Sequence, residues 1–170
     1  MENDISLLRE TEIFRDLNEA QIKKVMKISR KVVFPAGEVI MKEGDLGDTM
    51  YIILEGAVDV VKSLVMSDID DEDAAGKNKV FTRLDAKDHA VFGEIALLEE
   101  LKRTATVKAV TDCVLYAIGK DDFLAVAEGD YELGYRILLN LSRIVSARLR
   151  RADEDTIKLT TALCFILKEA

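Results

Sequence analysis

Apolar residues recur at helical spacing over the first thirty positions, at Ile5, Leu8, Ile13, Leu17, Ile22, Val25, Met26 and Ile28. Thr11 to Asn18 interrupts that period, and Asn18, ahead of Glu19 and Gln21, is placed to cap a second helix. At Lys31 the pattern changes. From there to about Ile118, short β-rich runs alternate with turn residues: Val32-Val33-Phe34, Val39-Ile40-Met41, Met50 to Leu54, Val58 to Val61, Val80-Phe81, Thr106 to Val110 and Val114 to Ile118. Pro35-Ala36-Gly37, Glu43-Gly44-Asp45, Gly47-Asp48, Glu55-Gly56 and Thr111-Asp112 punctuate them. Several short strands at this spacing predict an all-β sandwich or barrel. Gly44, Gly47 and Gly56 are expected to supply the positive φ angles of its tight turns.

From Lys120 the helical period returns. Asp121 and Asp122 favour a helix start through the macrodipole, Glu128-Gly129 ends that short helix, and Asp130 can cap a second one running toward the C-terminus. In this last segment Val145, Leu149, Ala152, Thr156, Leu159, Leu163, Ile166 and Ala170 follow a four–three alternation, the seam of a coiled coil. Ile157, Cys164, Phe165 and Leu167 lie off the seam, so the end of the helix is apolar on more than one side and must be buried. Packing on its own barrel is one way to bury it; pairing with a second copy of the chain is the expectation. The organisation expected is a helical segment over 1–30, a β-barrel over 31–119, and C-terminal helices over 120–170, with the dimerising helix from about 131.

Composition narrows the function. A chain of 170 residues suits one domain, and its 49% hydrophobic and 33% charged residues are those of a globular protein. The net charge of −8 repels a phosphate backbone, so no nucleic-acid partner is expected. Arg143, Arg148, Arg150 and Arg151 cluster, but Asp153, Glu154 and Asp155 follow at once, which reads as a solvated helix face. Cys113 and Cys164 lack metal-ligand spacing and read as small core residues in a reducing compartment. No membrane span and no signal peptide are evident, so cytoplasmic residence is expected. The run Asp68 to Asp73 has Asp73 and Lys79 where a calcium loop needs glycine and glutamate, and reads as a solvated hairpin loop. His89 is the only histidine, and no nucleophile has a recognisable base partner. Neither catalysis nor a metal or other cofactor is expected.

The informative stretch is Phe92-Gly93-Glu94-Ile95-Ala96-Leu97-Leu98, then Lys102-Arg103-Thr104-Ala105-Thr106-Val107. A glycine beside an apolar helical turn allows close backbone approach and offers N–H groups to an anion. Arg103 can set its fork against two phosphate oxygens, and Glu94 can accept hydrogen bonds from sugar hydroxyls. These residues resemble the phosphate-binding cassette of the cyclic-nucleotide-binding domain family. The Glu43 to Gly56 stretch resembles that family's glycine-bearing turns, and Leu141 to Arg151 resembles the start of its dimerising helix. Lys102 stands where the family often has proline, and the approach over Asp88 to Phe92 is about two residues longer than usual.

The resemblance implies a double-stranded β-helix, a jelly-roll-like barrel, with N-terminal helices and a long C-terminal helix. It implies that Glu94 holds the ribose 2′-hydroxyl and that Arg103 holds the cyclic phosphate. Backbone groups around Phe92, Gly93, Ile95 and Ala96 complete the phosphate site, with Thr104 and Ala105 beside it. The function implied is a sensor of cAMP or cGMP that passes a conformational change to an effector protein. The alternative is an interaction module of the same fold that no longer binds nucleotide. The resemblance places Asp153 of the long helix near the base, and with Thr104 this would favour cGMP, because an aspartate can accept from guanine N1–H and N2–H; an Asp153 turned to water leaves cAMP equally open. The family's gene regulators carry a helix-turn-helix domain beyond the long helix, and the residues after Arg150 are too few to form one.

Overall fold

A computed structural model describes residues 2–63, 78–99 and 102–169 of the chain. The acidic run 68–73 lies outside the described residues. Helix α1 (Glu2–Glu10), a 3-10 turn (Glu12–Phe14) and helix α2 (Glu19–Ile28) form the N-terminal layer. The predicted cap is present: Asn18 Oδ1 accepts from the Gln21 N–H at 2.9 Å, and Gln21 Oε1 accepts in return from the Asn18 N–H at 3.0 Å.

Eight strands follow: β1 (Arg30–Phe34), β2 (Val39–Met41), β3 (Thr49–Glu55), β4 (Ala57–Ser63), β5 (Asn78–Asp85), β6 (Val91–Phe92), β7 (Thr106–Ala109) and β8 (Cys113–Gly119). They form two four-stranded antiparallel sheets, ordered β1-β8-β3-β6 and β2-β7-β4-β5. The architecture is therefore the expected two-layer β fold, as two sheets rather than a closed barrel. The unbroken apolar run Met50 to Leu54 is explained by the first sheet being covered on both faces. With period two, Met50, Ile52 and Leu54 join the core shared with the helices, while Ile53 joins Phe92, Val107, Cys113 and Leu115 between the sheets.

Helix α3 (Lys120–Gly129) and the 39-residue helix α4 (Tyr131–Glu169) close the chain. The Asp130 carboxylate accepts from the Leu133 N–H at 3.1 Å, capping α4 as expected, and meets Lys24 Nζ of α2 at 2.7 Å. One face of α4 packs on the domain through Leu133, Ile137, Leu141 and Ile144. Buried Asn140 donates through Nδ2 to the carbonyls of Ile13 at 3.1 Å and Arg15 at 2.8 Å, tying α4 to the N-terminal 3-10 turn. From Leu149 onward the helix projects at about 1.5 Å per residue and every described side chain is exposed, so its apolar end does not fold back on its own sheets.

Two expectations need correction here. Gly44 and Gly56 do have positive φ, but Gly47 does not; its role is spatial and belongs to the site. Cys113 is buried as expected, whereas Cys164 is exposed on α4. The extended approach to the cassette folds as a 3-10 turn, Ala86–Asp88, capped by Asp85, followed by His89 at φ 47°. No helix among the described residues is long and apolar enough to cross a membrane.

Candidate functional site

The site forms where β6 stops. Phe92 is buried and its ring stacks on Tyr51 across the β3–β6 pair, with centroids 5.1 Å apart. Gly93 then turns the chain at φ 72° into a 3-10 turn, Glu94–Leu97. A Cβ at Gly93 would stand 2.9 Å from the Thr49 carbonyl and 3.0 Å from Arg103 Nη1, so both conformation and space require glycine. Ala96 and Leu97 anchor the turn in the interior while Ile95 faces outward. The Ala96 N–H is already bonded to the Gly93 carbonyl at 3.1 Å, which leaves the first N–H groups of the turn pointing beyond its own ladder.

Arg103 comes to the same place from another segment. Its N–H donates to the Asp45 carbonyl at 2.7 Å and its carbonyl accepts from the Gly44 N–H at 2.9 Å, which straps it to the turn before β3. The guanidinium passes over Gly47, where a Cβ would lie 2.3 Å from Nε, and donates from Nη2 to the Thr49 carbonyl at 2.9 Å. Gly47 is therefore the floor over which the arginine reaches. Among the described residues no carboxylate stands within ion-pair distance of Arg103, although the chain carries a net charge of −8. The nearby Tyr51 phenol is pushed above its ordinary value by burial, with the charge of Arg103 opposing and that of Asp48 adding to the rise. Next in the chain, Thr104 is exposed and Ala105 is buried.

Glu94 is 3% exposed and carries a partner that the sequence did not reveal. Arg148 of α4 donates from Nη1 to Glu94 Oε1 at 2.6 Å and from Nη2 to the Val91 carbonyl at 2.5 Å. Reading the Arg143–Arg151 cluster as a solvated face thus fails at Arg148; Arg143 turns back to Asn140 Oδ1 at 3.1 Å. A buried carboxylate without a partner is costly, and a carboxylate has about four acceptor positions, so Arg148 compensates the charge and still leaves capacity for a sugar hydroxyl. The only sequence signal for Arg148 was a basic residue in the arginine cluster, 54 positions from its partner.

The structure accordingly brings together Phe92, Gly93, Glu94, Ile95, Ala96 and Arg103, with Thr104 and Ala105 next in the chain. Asp153 is exposed and makes no hydrogen bond to this group. Five residues beyond Arg148, it points about 140° around the helix from it. No cluster of metal-ligating residues occurs among the described residues. His89 instead meets Glu10 of α1, Nε2 to Oε2 at 3.1 Å.

The profile of the cyclic nucleotide-binding domain matches residues 31–130. The chain is 36% identical over 118 residues to a cAMP-dependent protein kinase regulatory subunit of Schizosaccharomyces pombe, which covers 69% of this chain and 25% of the relative. It is 29% identical over 117 residues to a cGMP-dependent protein kinase of Drosophila melanogaster, covering 69% of this chain and 9% of that one. The chain thus spans a quarter or less of the length of these kinase relatives. Among solved structures, the catabolite activator protein of Thermus thermophilus superposes with a TM-score of 0.74 at 25% identity, over 88% of this chain and 63% of that one.

Proposed function

We propose that this chain, which belongs to the cyclic nucleotide-binding domain family, is a regulatory module that binds cAMP or cGMP at the Gly93–Arg103 site and passes the change to a partner through α4. The observation that carries the reading is Arg103: a half-buried guanidinium over two glycines, beside the start of a helical turn, with no carboxylate among the described residues to neutralise it. Such a group is electrostatically incomplete, and an anion with two free oxygens completes it through a bidentate contact. Glu94, one residue from Gly93, supplies the acceptor for a ribose hydroxyl. The relatives named for cAMP and for cGMP leave both bases in view, and exposed Thr104 is the residue placed to influence the choice.

Two further elements of the reading follow from α4. Its projecting, apolar second half supports a homodimer, and its contact with Glu94 supports a change of helix position when the pocket fills. A ligand shifts such an arrangement only by binding one position more tightly than the other. Equilibrium binding of cAMP, cGMP and their open 5′-monophosphates tests the reading. The cyclic forms are expected to bind and the open forms to bind far more weakly. No binding by any of the four would favour an interaction module that keeps the fold without the ligand.

A further inference from the structure

Helix α4 carries two apolar faces, and only one is used by its own domain. Opposite the packed face of Leu133, Ile137, Leu141 and Ile144, a second row stays exposed: Tyr131 is 81% and Tyr135 65% exposed, and Leu138 lies in line with them. These three continue backward the four–three spacing of Leu149, Leu159 and Leu163, so the alternation spans the whole 39-residue helix. At about 1.5 Å per residue the seam is roughly 58 Å long. A row of this period and length fits the same row on a second copy of the chain.

In a parallel pair, the residue preceding an a position (g) faces the residue five further along on the partner (e). With Leu149 at a, Arg148 is at g and the partner's Asp153 at e. The other g–e pairs along 131–169 are Gly134 with Leu139, Leu141 with Ser146, Asp155 with Thr160 and Ala162 with Leu167. Arg148 and Asp153 are therefore the single oppositely charged pair this relation offers. Arg148 is also the residue that holds Glu94. Its fork has five N–H donors, and the structure uses one on Nη1 and one on Nη2, both toward its own domain.

We propose that Arg148 is shared between two chains, holding Glu94 of its own pocket and the partner's Asp153 at once, so that a residue of the partner completes each nucleotide site. Asp153 points about 140° away from Arg148 on its own helix, so it serves the other chain's site rather than its own. Twofold symmetry places two such bridges in the pair. The partner's carboxylate fixes the guanidinium in the position that serves Glu94, so pairing raises nucleotide affinity. By linkage, nucleotide strengthens pairing by the same factor. This inference rests on the homodimer proposed above.

A double-mutant cycle read by sedimentation equilibrium, with and without cAMP or cGMP, tests it. Asp153→Ala is expected to raise the dimer dissociation constant about 3- to 10-fold, from two partly exposed ion pairs, and to have no effect in an Arg148→Gln background. Asp153→Lys, at an exposed position that the fold does not need, is expected to weaken pairing further, because it sets lysine against Arg148. Nucleotide is expected to tighten the wild-type dimer and to tighten Asp153→Ala less. Equal effects of Asp153→Ala with and without Arg148 would overturn the bridge while leaving the dimer intact. An antiparallel pair, shown by spin-label distances, would overturn it likewise. A chain that stays monomeric at all concentrations would overturn both the dimer and the bridge.

Discussion

Arg103 is held in place by small residues more than by large ones. Gly47 has an ordinary φ, so alanine there meets no backbone strain; its methyl would instead strike the Arg103 side chain. Gly47→Ala is therefore expected to weaken nucleotide binding about tenfold or more, near 1.4 kcal/mol, while changing stability by less than about 0.5 kcal/mol. Titration together with thermal unfolding separates the two quantities, and a large loss of stability with binding intact would contradict this role. Gly93→Ala is a different case. There φ is 72° and the obstacle includes the Thr49 carbonyl, so the backbone must shift, and stability is expected to fall by about 1–2 kcal/mol as well. The two glycines look alike in the sequence, and positive φ was expected at Gly47. Only the path of a side chain arriving from 56 residues further on (47 to 103) distinguishes them.

At the scale of elements, α4 has contacts at its start, its middle and its pocket-facing turn. At the start, Asp130 is held below the usual carboxylate range by the Lys24 ammonium, with the Leu133 N–H adding to it. A carboxyl lowered on folding contributes stability that is present above its unfolded value and lost as pH falls through its folded value. The stability difference between wild type and Asp130→Ala is thus expected to be full at neutral pH and to vanish in acid below that range, as read by denaturant unfolding at stepped pH. In the middle, Asn140→Leu leaves the Ile13 and Arg15 carbonyls without their donor and is expected to cost about 1–3 kcal/mol. A change within 0.5 kcal/mol would show that water replaces the amide freely. Elements with local signals were legible in the sequence: the Asn18 cap, the Asp130 cap, the strands with turn residues between them, and the cassette, whose residues are nearly contiguous. The two-residue β6 was too short to show a period. Arg148 was not legible, because nothing local marks an arginine whose partner lies 54 positions away. Cys164 misled because an apolar neighbourhood on a helix implies burial only if something covers it.

At the scale of the molecule, the two cores explain why the site is placed where it is. The sheet of β1, β8, β3 and β6 is the shared wall, with helices on one face and the second sheet on the other. The cassette leaves the end of that wall at β6, so a ligand bound there as proposed would touch the sheets through Arg103 and the helices through Glu94 and Arg148. A change in the pocket would then reach α4 through the Glu94–Arg148 contact. Arg148→Lys, which keeps the charge but loses the second arm of the fork, is expected to weaken nucleotide binding several-fold, less than the loss from Arg103→Ala. The net charge of −8 sets a repulsive background for anions, which the proposed site would overcome through a guanidinium that no carboxylate among the described residues neutralises.

The most direct test of that claim is calorimetric titration of the chain with cAMP and with cGMP, repeated on Arg103→Ala. Loss of one charge-assisted phosphate contact costs about 2–5 kcal/mol. The account predicts saturable binding of at least one cyclic nucleotide by the wild type and its near disappearance in the variant. Equal binding by both proteins would remove Arg103 from the site and contradict the account.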